Sequence, residues 1–394
     1  MKNRDVFVLS AIRTPIGSFG GVFKNITAPQ LGAIAVKHAL IKSGLNAIDI
    51  QELVMGNVLS ANLGQAPAKQ VARLAGLPDH IPCTLVNKVC SSGMKAISMA
   101  VQSILLGDND IVIAGGMESM SQVPFYVDSM RWGNKYGNTA MLDGLAKDGL
   151  TDAYNGKAMG IAAELCAEKC FIGREQQDEY AKQSYLRAQQ AWNDGYFDQE
   201  VCPVEVDSKN GVVIITKDEE PWNVKFEKIN SLKPAFLEEG TVTAANASTM
   251  NDGAAALVLI SGEKLKELSL KPIAKLLSYA DAEQDPDWFT TTPSLAMPLA
   301  LKKAGLQSGE IDYWEINEAF SVVAIENAKR MNIDPNKLNI HGGAVSLGHP
   351  LGCSGARIAV SLLHILKQKK SRYGCAGICN GGGGASALVV EYYN

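Results

Sequence analysis

The sequence predicts an α/β fold built from two like units with a long insertion between them, and three observations carry that prediction. Short apolar runs ended by glycine alternate with stretches whose apolar residues recur at helical spacing, the pattern of buried strands covered by helices. The passage Ala39-Leu40-Ile41-Lys42-Ser43-Gly44-Leu45, followed by Ile50 and Asn57, returns as Ala300-Leu301-Lys302-Lys303-Ala304-Gly305-Leu306, followed by Ile311 and Asn317. At nearly the same offset, Cys90-x-x-Gly93 entering a helix returns as His349-x-x-Gly352 entering another. Two echoes at nearly one offset mark a duplicated unit. The offset exceeds half of the 394 residues, so something must be inserted between the copies.

Taken in order, Val6 to Ser10 reads as a first buried strand and Gly17 to Gly21 as a loop. Leu31 to Ser43 is then a helix closed by Gly44 as its C-cap, and Leu53 to Asn57 runs from strand into loop. Thr84-Leu85-Val86 ends a further buried strand, after which Met94, Ile97, Ala100, Val101 and Ile104 set a helix. Ile111 to Ala114, closed by Gly115-Gly116, is a strand, and so is Ala387 to Val390 near the end. The insertion holds tryptophans, scattered glycines, an amphipathic helix near Arg174 to Trp192 and the charged run Lys217-Asp218-Glu219-Glu220. The expected division is 1–120 with 251–272 as the first unit, 121–250 as the inserted loop domain and 273–394 as the second unit.

Apolar content of 46%, charged content of 20% and a net charge of -4 describe a soluble globular chain and argue against a nucleic-acid partner. The apolar run after Met1-Lys2-Asn3-Arg4-Asp5 is too short for a signal peptide, no stretch reads as a membrane span, and the final Tyr392-Tyr393-Asn394 is no peroxisomal address. A reducing cytoplasm is the expected location, so the eight cysteines are expected as thiols. Cys166 with Cys170 and Cys375 with Cys379 lack the spacing and histidines of a zinc site, and no metal is expected.

The chemistry gathers around Asn87-Lys88-Val89-Cys90-Ser91-Ser92-Gly93, a sharp strand-to-helix turn. A cysteine at a helix start feels the positive end of the macrodipole, which favours the nucleophilic thiolate. A lone cysteine is more often simply buried. What tips the balance is the second unit: Asn317 at a strand end, the glycine-laden approach from His341 through His349 to Arg357, and Cys379-Asn380-Gly381-Gly382-Gly383-Gly384. If the units pack about a pseudo-dyad, the helix starts bearing Cys90 and His349 face one another.

These four segments, with Gly115-Gly116-Met117-Glu118-Ser119-Met120-Ser121 and Lys147-Asp148-Gly149-Leu150-Thr151-Asp152, resemble the thiolases over essentially the whole chain, and among them the short-chain acetyl-CoA acetyltransferases. The resemblance implies two βαβαβαββ halves in a five-layered α-β-α-β-α arrangement with an inserted loop domain. It implies Cys90 as the acyl-accepting nucleophile, and His349 beside it, raising its thiolate fraction and, with a water held by Asn317, stabilising a thioester enolate. Cys379 would be the second acid/base, its pKa brought near the working pH. The N–H groups of Cys90 and Gly381 would form a second oxyanion hole. Leu150, Met159, Ala235, Phe236, Ala244, Ala247, Ser248, Ala319 and Phe320 would line the pantetheine channel, with Lys225, Lys228 and Lys233 the nearest cations for the phosphates. The implied partners are acetyl-CoA, acetoacetyl-CoA and coenzyme A, the last a substrate and product, so no resident cofactor is expected. A homo-oligomer is implied as well, a dimer or a dimer of dimers tethered by Val123 to Asp143, with no membrane partner.

Two positions depart from the family pattern: Ala158 stands where short-chain members carry a histidine, and Pro221 stands near a tyrosine of potassium-activated relatives. The first loosens the preference for acetoacetyl substrates and keeps a broader-range, degradative 3-ketoacyl-CoA thiolase in view; the second removes the reason to expect potassium activation. A decarboxylating ketoacyl synthase needs no second cysteine, which Cys379-Asn380-Gly381 argues against. A noncatalytic acyl-CoA binding scaffold would have no reason to keep all four polar positions.

Overall fold

The computed structural model describes residues 4–209 and 211–393. The first unit runs β1 (Val6–Arg13), β2 (Gly17–Ser18), α1 (Ala28–Ser43), β3 (Glu52–Gly56), α2 (Pro67–Leu74), β4 (Cys83–Val86), α3 (Ser92–Leu106) and β5 (Ile111–Ser119). A middle stretch follows with the ribbon β6 (Phe125–Tyr126) and β7 (Leu142–Asp143), then α4 (Met159–Cys170), α5 (Arg174–Asn193) and the ribbon β8 (Val204–Ser208) and β9 (Gly211–Ile215). The chain then adds β10 (Asn251–Ser261), α6 (Gly262–Glu267), β11 (Ala274–Glu283), α7 (Pro293–Ala304), β12 (Tyr313–Ile316), α8 (Ser321–Met331), α9 (Ala344–Leu347), α10 (Leu351–Lys369), β13 (Tyr373–Asn380) and β14 (Gly384–Tyr392).

Strand order exposes the duplication. The main path reads β12-β13-β14-β11-β1-β10-β5-β3-β4, with β2 beside β10. Outward from the centre, β1, β10, β5 and β3 are mirrored by β11, β14, β13 and β12, and the parallel bridge of Leu338 to Trp314 stands where β4 stands beside β3. Among the described strands, the short pairing from Val6↔Leu276 to Val8↔Ala274 is the ladder that joins the sheets of the two halves. The helices Leu31–Ser43 and Ala300–Ala304, read as echoes, both end at a left-handed glycine, Gly44 (φ 75°) and Gly305 (φ 71°).

Helices α3 and α10 pack on each other and on strands of both halves, while α1 with α2 covers one outer face and α7 with α8 the other. The result is five layers, α-β-α-β-α, with a central apolar core that joins Met94, Ile97 and Val101 to Ile358, Leu362 and Leu363. The stretch Val89–Leu106 is long and apolar enough for a membrane span by composition, contrary to the sequence reading. Its place between the two sheets accounts for that apolarity.

Small residues set how closely the central helices meet. A Cβ on Gly93 would lie 2.8 Å from the Ala356 nitrogen, and one on Gly355 2.5 Å from the Met94 nitrogen. The glycine three residues after Cys90 therefore serves backbone contact at the crossing, whereas its echo Gly352 presses on Asn57 and Met117 of the first half. One expectation fails: Cys83 to Val86 are half-buried rather than buried, because β4 is the sheet's edge strand.

Arg13, fully buried, ties the first strand to the middle stretch through Glu200 (2.6 Å) and Asp218 (2.8 Å). Both acids screen a charge that would be costly to bury alone.

Candidate active site

The turn before α3 is strained where the chemistry was expected. Val89, β-branched, has φ 47°, a region such residues seldom enter. Side chains hold it there: Asn87 Oδ1 accepts from the Val89 N–H (3.0 Å), Ser92 Oγ accepts from the Lys88 N–H (2.8 Å) and donates to Val89 O (2.5 Å). Cys90 thus stands two residues before the first helical residue, Ser92, with Ser91 as cap.

The two halves grip each other's helix starts. Glu118 and Asn380 occupy equivalent strand ends, paired with Gly253 and Gly384. Glu118 accepts from the Gly352 N–H at the start of α10 (2.8 Å), from the Val58 and Leu59 N–H groups (3.0 and 3.2 Å) and from Asn57 Nδ2 (2.6 Å). Asn380 Oδ1 accepts from Ser91 Oγ at the start of α3 (2.9 Å) and from Lys88 (3.2 Å), while its Nδ2 donates to Gly381 O (2.8 Å). The helices bearing Cys90 and His349 are thereby fixed relative to Cys379-Asn380-Gly381.

Above them opens a cavity of about 620 Å³, lined by Cys90, His349 and Gly381. Leu150, Met159, Ala235, Phe236, Ala244, Ala247, Ser248, Ala319 and Phe320 line the same cavity. Ser248 Oγ donates to Ala319 O (2.8 Å), which joins two of these segments. Asn317 and Cys379 are not at the wall but one layer behind it. Asn317 Nδ2 stands 3.5 Å from His349 Nδ1, its Oδ1 3.4 Å from Arg357, and Cys379 is fully buried yet near enough to Cys90 for their charges to interact. Lys225, Lys228 and Lys233 are exposed and do not reach the cavity wall. The sequence reading omitted Phe19, Phe289 and Leu351, which also line it; as scattered apolar residues they carried no signal of their own.

The electrostatics reverse two expectations. Burial pushes the Cys90 thiol up to about 12, although the N–H groups of Gly381 and of Cys90 itself pull the other way. Helix-start stabilisation is outweighed by the packing of Cys90 against apolar side chains such as Leu351, which disfavours the charged form. Cys379 is likewise raised well above the ordinary thiol value, by burial first and by Cys90 second. Burial, then Arg357, lowers His349 to about 3, so the imidazole is neutral at physiological pH. Its Nδ1 contacts Ser354 Oγ (2.6 Å), and Nε2 has no hydrogen-bond partner among the described residues. The site thus rests as two neutral thiols beside a neutral base, with two N–H groups converging on one sulfur. Among the described residues no group of three or more His, Cys, Asp or Glu side chains is arranged to hold a metal.

Known proteins resemble this chain over nearly its whole length. Residues 6–263 match the family described as "Thiolase, N-terminal domain" and residues 270–392 match "Thiolase, C-terminal domain". The chain is 54% identical to "Acetyl-CoA acetyltransferase" of Schizosaccharomyces pombe, covering 99% of this chain and 100% of that one. It is 52% identical to "Acetyl-CoA acetyltransferase" of Saccharomyces cerevisiae, covering 99% of each. Among solved structures, Acat5 thiolase from Ascaris suum in complex with coenzyme A superposes with a TM-score of 0.94 at 48% identity, covering 99% of this chain and 100% of that one.

Proposed function

The chain belongs to the thiolase family, and from that premise we propose that it is an acetyl-CoA C-acetyltransferase, condensing two acetyl-CoA reversibly to acetoacetyl-CoA and coenzyme A by ping-pong acyl transfer through Cys90. The observation that carries the reading is the meeting of Cys90, His349 and Gly381 at the wall of one largely apolar cavity, with the buried Cys379 within electrostatic reach of Cys90. In the first half-reaction Cys90 passes its proton to His349 Nε2 as the sulfur attacks the thioester carbonyl. The carbon–sulfur bond to coenzyme A breaks, and the departing thiolate takes the proton back. In the second, Cys379 gives its thiol proton to the neutral His349 and, as thiolate, removes a methyl proton from the next acetyl-CoA. The resulting carbanion attacks the acyl group on Cys90, which leaves as thiolate and takes up the proton held by His349, so both thiols and the imidazole return to their neutral resting forms.

The Cys90 and Gly381 N–H groups are aimed where charge develops during acyl transfer. His349, with Asn317 behind it, faces the enolate oxygen. Coenzyme A is consumed and released here, so it counts as substrate rather than resident cofactor. Cys90→Ser is expected to abolish the acyl-enzyme seen by mass spectrometry after mixing with acetyl-CoA. Cys379→Ala is expected to keep that acyl-enzyme and lose carbon–carbon bond formation. Full thiolysis by Cys90→Ser would end the assignment.

A second reading, a thiolase of broader chain length working degradatively, draws support from Ala158. That residue and Met159 lie between the main cavity and a side pocket of about 160 Å³, so little side-chain bulk separates the two.

The half-buried edge strand β4 and the β6–β7 ribbon, which exposes Met130, Trp132 and Tyr136, support assembly into dimers and pairs of dimers. Deleting the ribbon should leave dimers by light scattering. A relative in Gibberella zeae is named cytosolic, which supports the same location here.

A further inference from the structure

We propose that Ser354, one turn into α10, is a positioning residue that fixes which nitrogen of His349 carries the proton. The inference deepens the acyl-transfer reading above and rests on it. His349 and Ser354 lie at either side of Pro350, the cap of α10, and both are buried. Ser354 Oγ is 2.9 Å from Pro350 O and 2.6 Å from His349 Nδ1. A hydroxyl has one proton and two lone pairs. Only one assignment satisfies both contacts with a donor facing an acceptor and leaves a base at the cavity: Ser354 donates to Pro350 O, and His349 Nδ1–H donates to Ser354 Oγ.

The reverse assignment, with Ser354 donating to Nδ1, would put the proton on Nε2. That nitrogen is the ring edge turned away from Ser354 and Asn317, and it finds no acceptor among the described residues. Asn317 Nδ2, at 3.5 Å from Nδ1, is too distant to compete with the shorter Ser354 contact. A buried N–H without a partner is disfavoured, whereas an unpaired lone pair is what a general base presents to an incoming proton. When Cys90 gives its proton to Nε2, the imidazolium so formed keeps its Nδ1–H bond to Ser354. No atom behind the ring has to move, and the hydroxyl oxygen faces the new positive charge.

The test is the rate at which iodoacetamide alkylates Cys90 in the full-length protein, followed on the Cys90 peptide across pH 6–10, for wild type, Ser354→Ala and Ser354→Thr. Thr keeps the hydroxyl; Ala keeps the fold of a small buried side chain and removes it. Ser354→Ala is expected to slow alkylation at pH 7 by about tenfold or more and to move its pH profile upward, as wrong-tautomer variants of other His-activated nucleophiles do. Ser354→Thr is expected to follow wild type. A Ser354→Ala profile that superposes on wild type overturns the proposal. So does an equal loss in Ala and Thr variants, which would make the effect one of packing. Thiolysis by the wild-type enzyme is assayed alongside: its absence would sink the acyl-transfer reading while the alkylation profiles still decide the role of Ser354.

Discussion

A neutral thiol beside a neutral imidazole is a resting state that substrate must disturb, and the residues that decide which substrate can do so lie beside them. A Cβ built on Gly381 would sit 3.5 Å from the Met159 methyl, so Met159 reaches across to the peptide next to Cys90. An acyl chain on Cys90 must therefore pass Met159. Thiolysis of a ladder of 3-ketoacyl-CoA substrates should favour four carbons, and Met159→Ala should raise the eight- to four-carbon ratio of kcat/KM by roughly tenfold, the scale of a few methylenes in an apolar pocket. An unchanged ratio would show that Met159 does not bound the acyl end. The sequence displayed Cys90, His349 and Cys379 because each stands in a compact run of unusual composition, whereas Met159 was pointed to only by the family resemblance. It could not display that Cys90 is raised rather than depressed in pKa. Dipole arguments count the turn in which a residue lies, whereas desolvation depends on Leu351 and other residues brought over it by the fold.

At the scale of elements, the central helix pair holds the geometry, and glycines there differ from glycines at helix ends. A Cβ on Gly352 would lie 2.7 Å from the Asn57 Cα and 2.9 Å from Glu118 Oε2. Neither neighbour is a flexible tip, so Gly352→Ala must push the start of α10, and His349 with it, away from the first half. The expected loss is about 1–3 kcal/mol of stability from overpacking, with a fall in kcat larger than in Gly305→Ala. Gly305, φ 71° with open space around it, should lose only about 1–2 kcal/mol for its left-handed backbone and keep its kcat. Equal kcat in the two variants would refute the clamp. The echo of Gly44 and Gly305 was legible because a C-cap is a local event, as was the strand-turn-helix around Cys90. The left-handed Val89 and the edge position of β4 were not, since hydrogen bonds from Asn87 and Ser92 and the order of strands in the sheet decide them.

For the molecule as a whole, folding buries several histidines in neutral form, and acid should register it. His341 begins the segment that leads to His349, stacks on Tyr196 (4.8 Å) and meets Phe197 edge-on (5.9 Å), so it fastens the second half to the middle stretch. Neither ring nitrogen has a partner among the described residues, and burial lowers its pKa from 6.5 to about 4. The unfolded chain therefore binds a proton between those values that the folded chain does not. The contribution of neutral His341 is present above pH 6.5 and is lost as pH falls toward 4, reaching about 2 kcal/mol by pH 5 as an upper bound. His349 and His364, also lowered by burial, act in the same direction, while Glu118, raised to about 7, and Glu315, raised to about 8, act in the opposite one. A comparison of variants cancels these other groups. His341→Phe keeps an aromatic ring against Tyr196 and Phe197 and cannot titrate, so its stability relative to wild type should rise by that amount between pH 7.5 and pH 5. Urea midpoints at one fixed protein concentration measure it, because assembly adds to apparent stability. Parallel pH dependence for the two proteins would mean that His341 takes up its proton without unfolding, and that the second half is fastened to the middle stretch by contacts other than this ring.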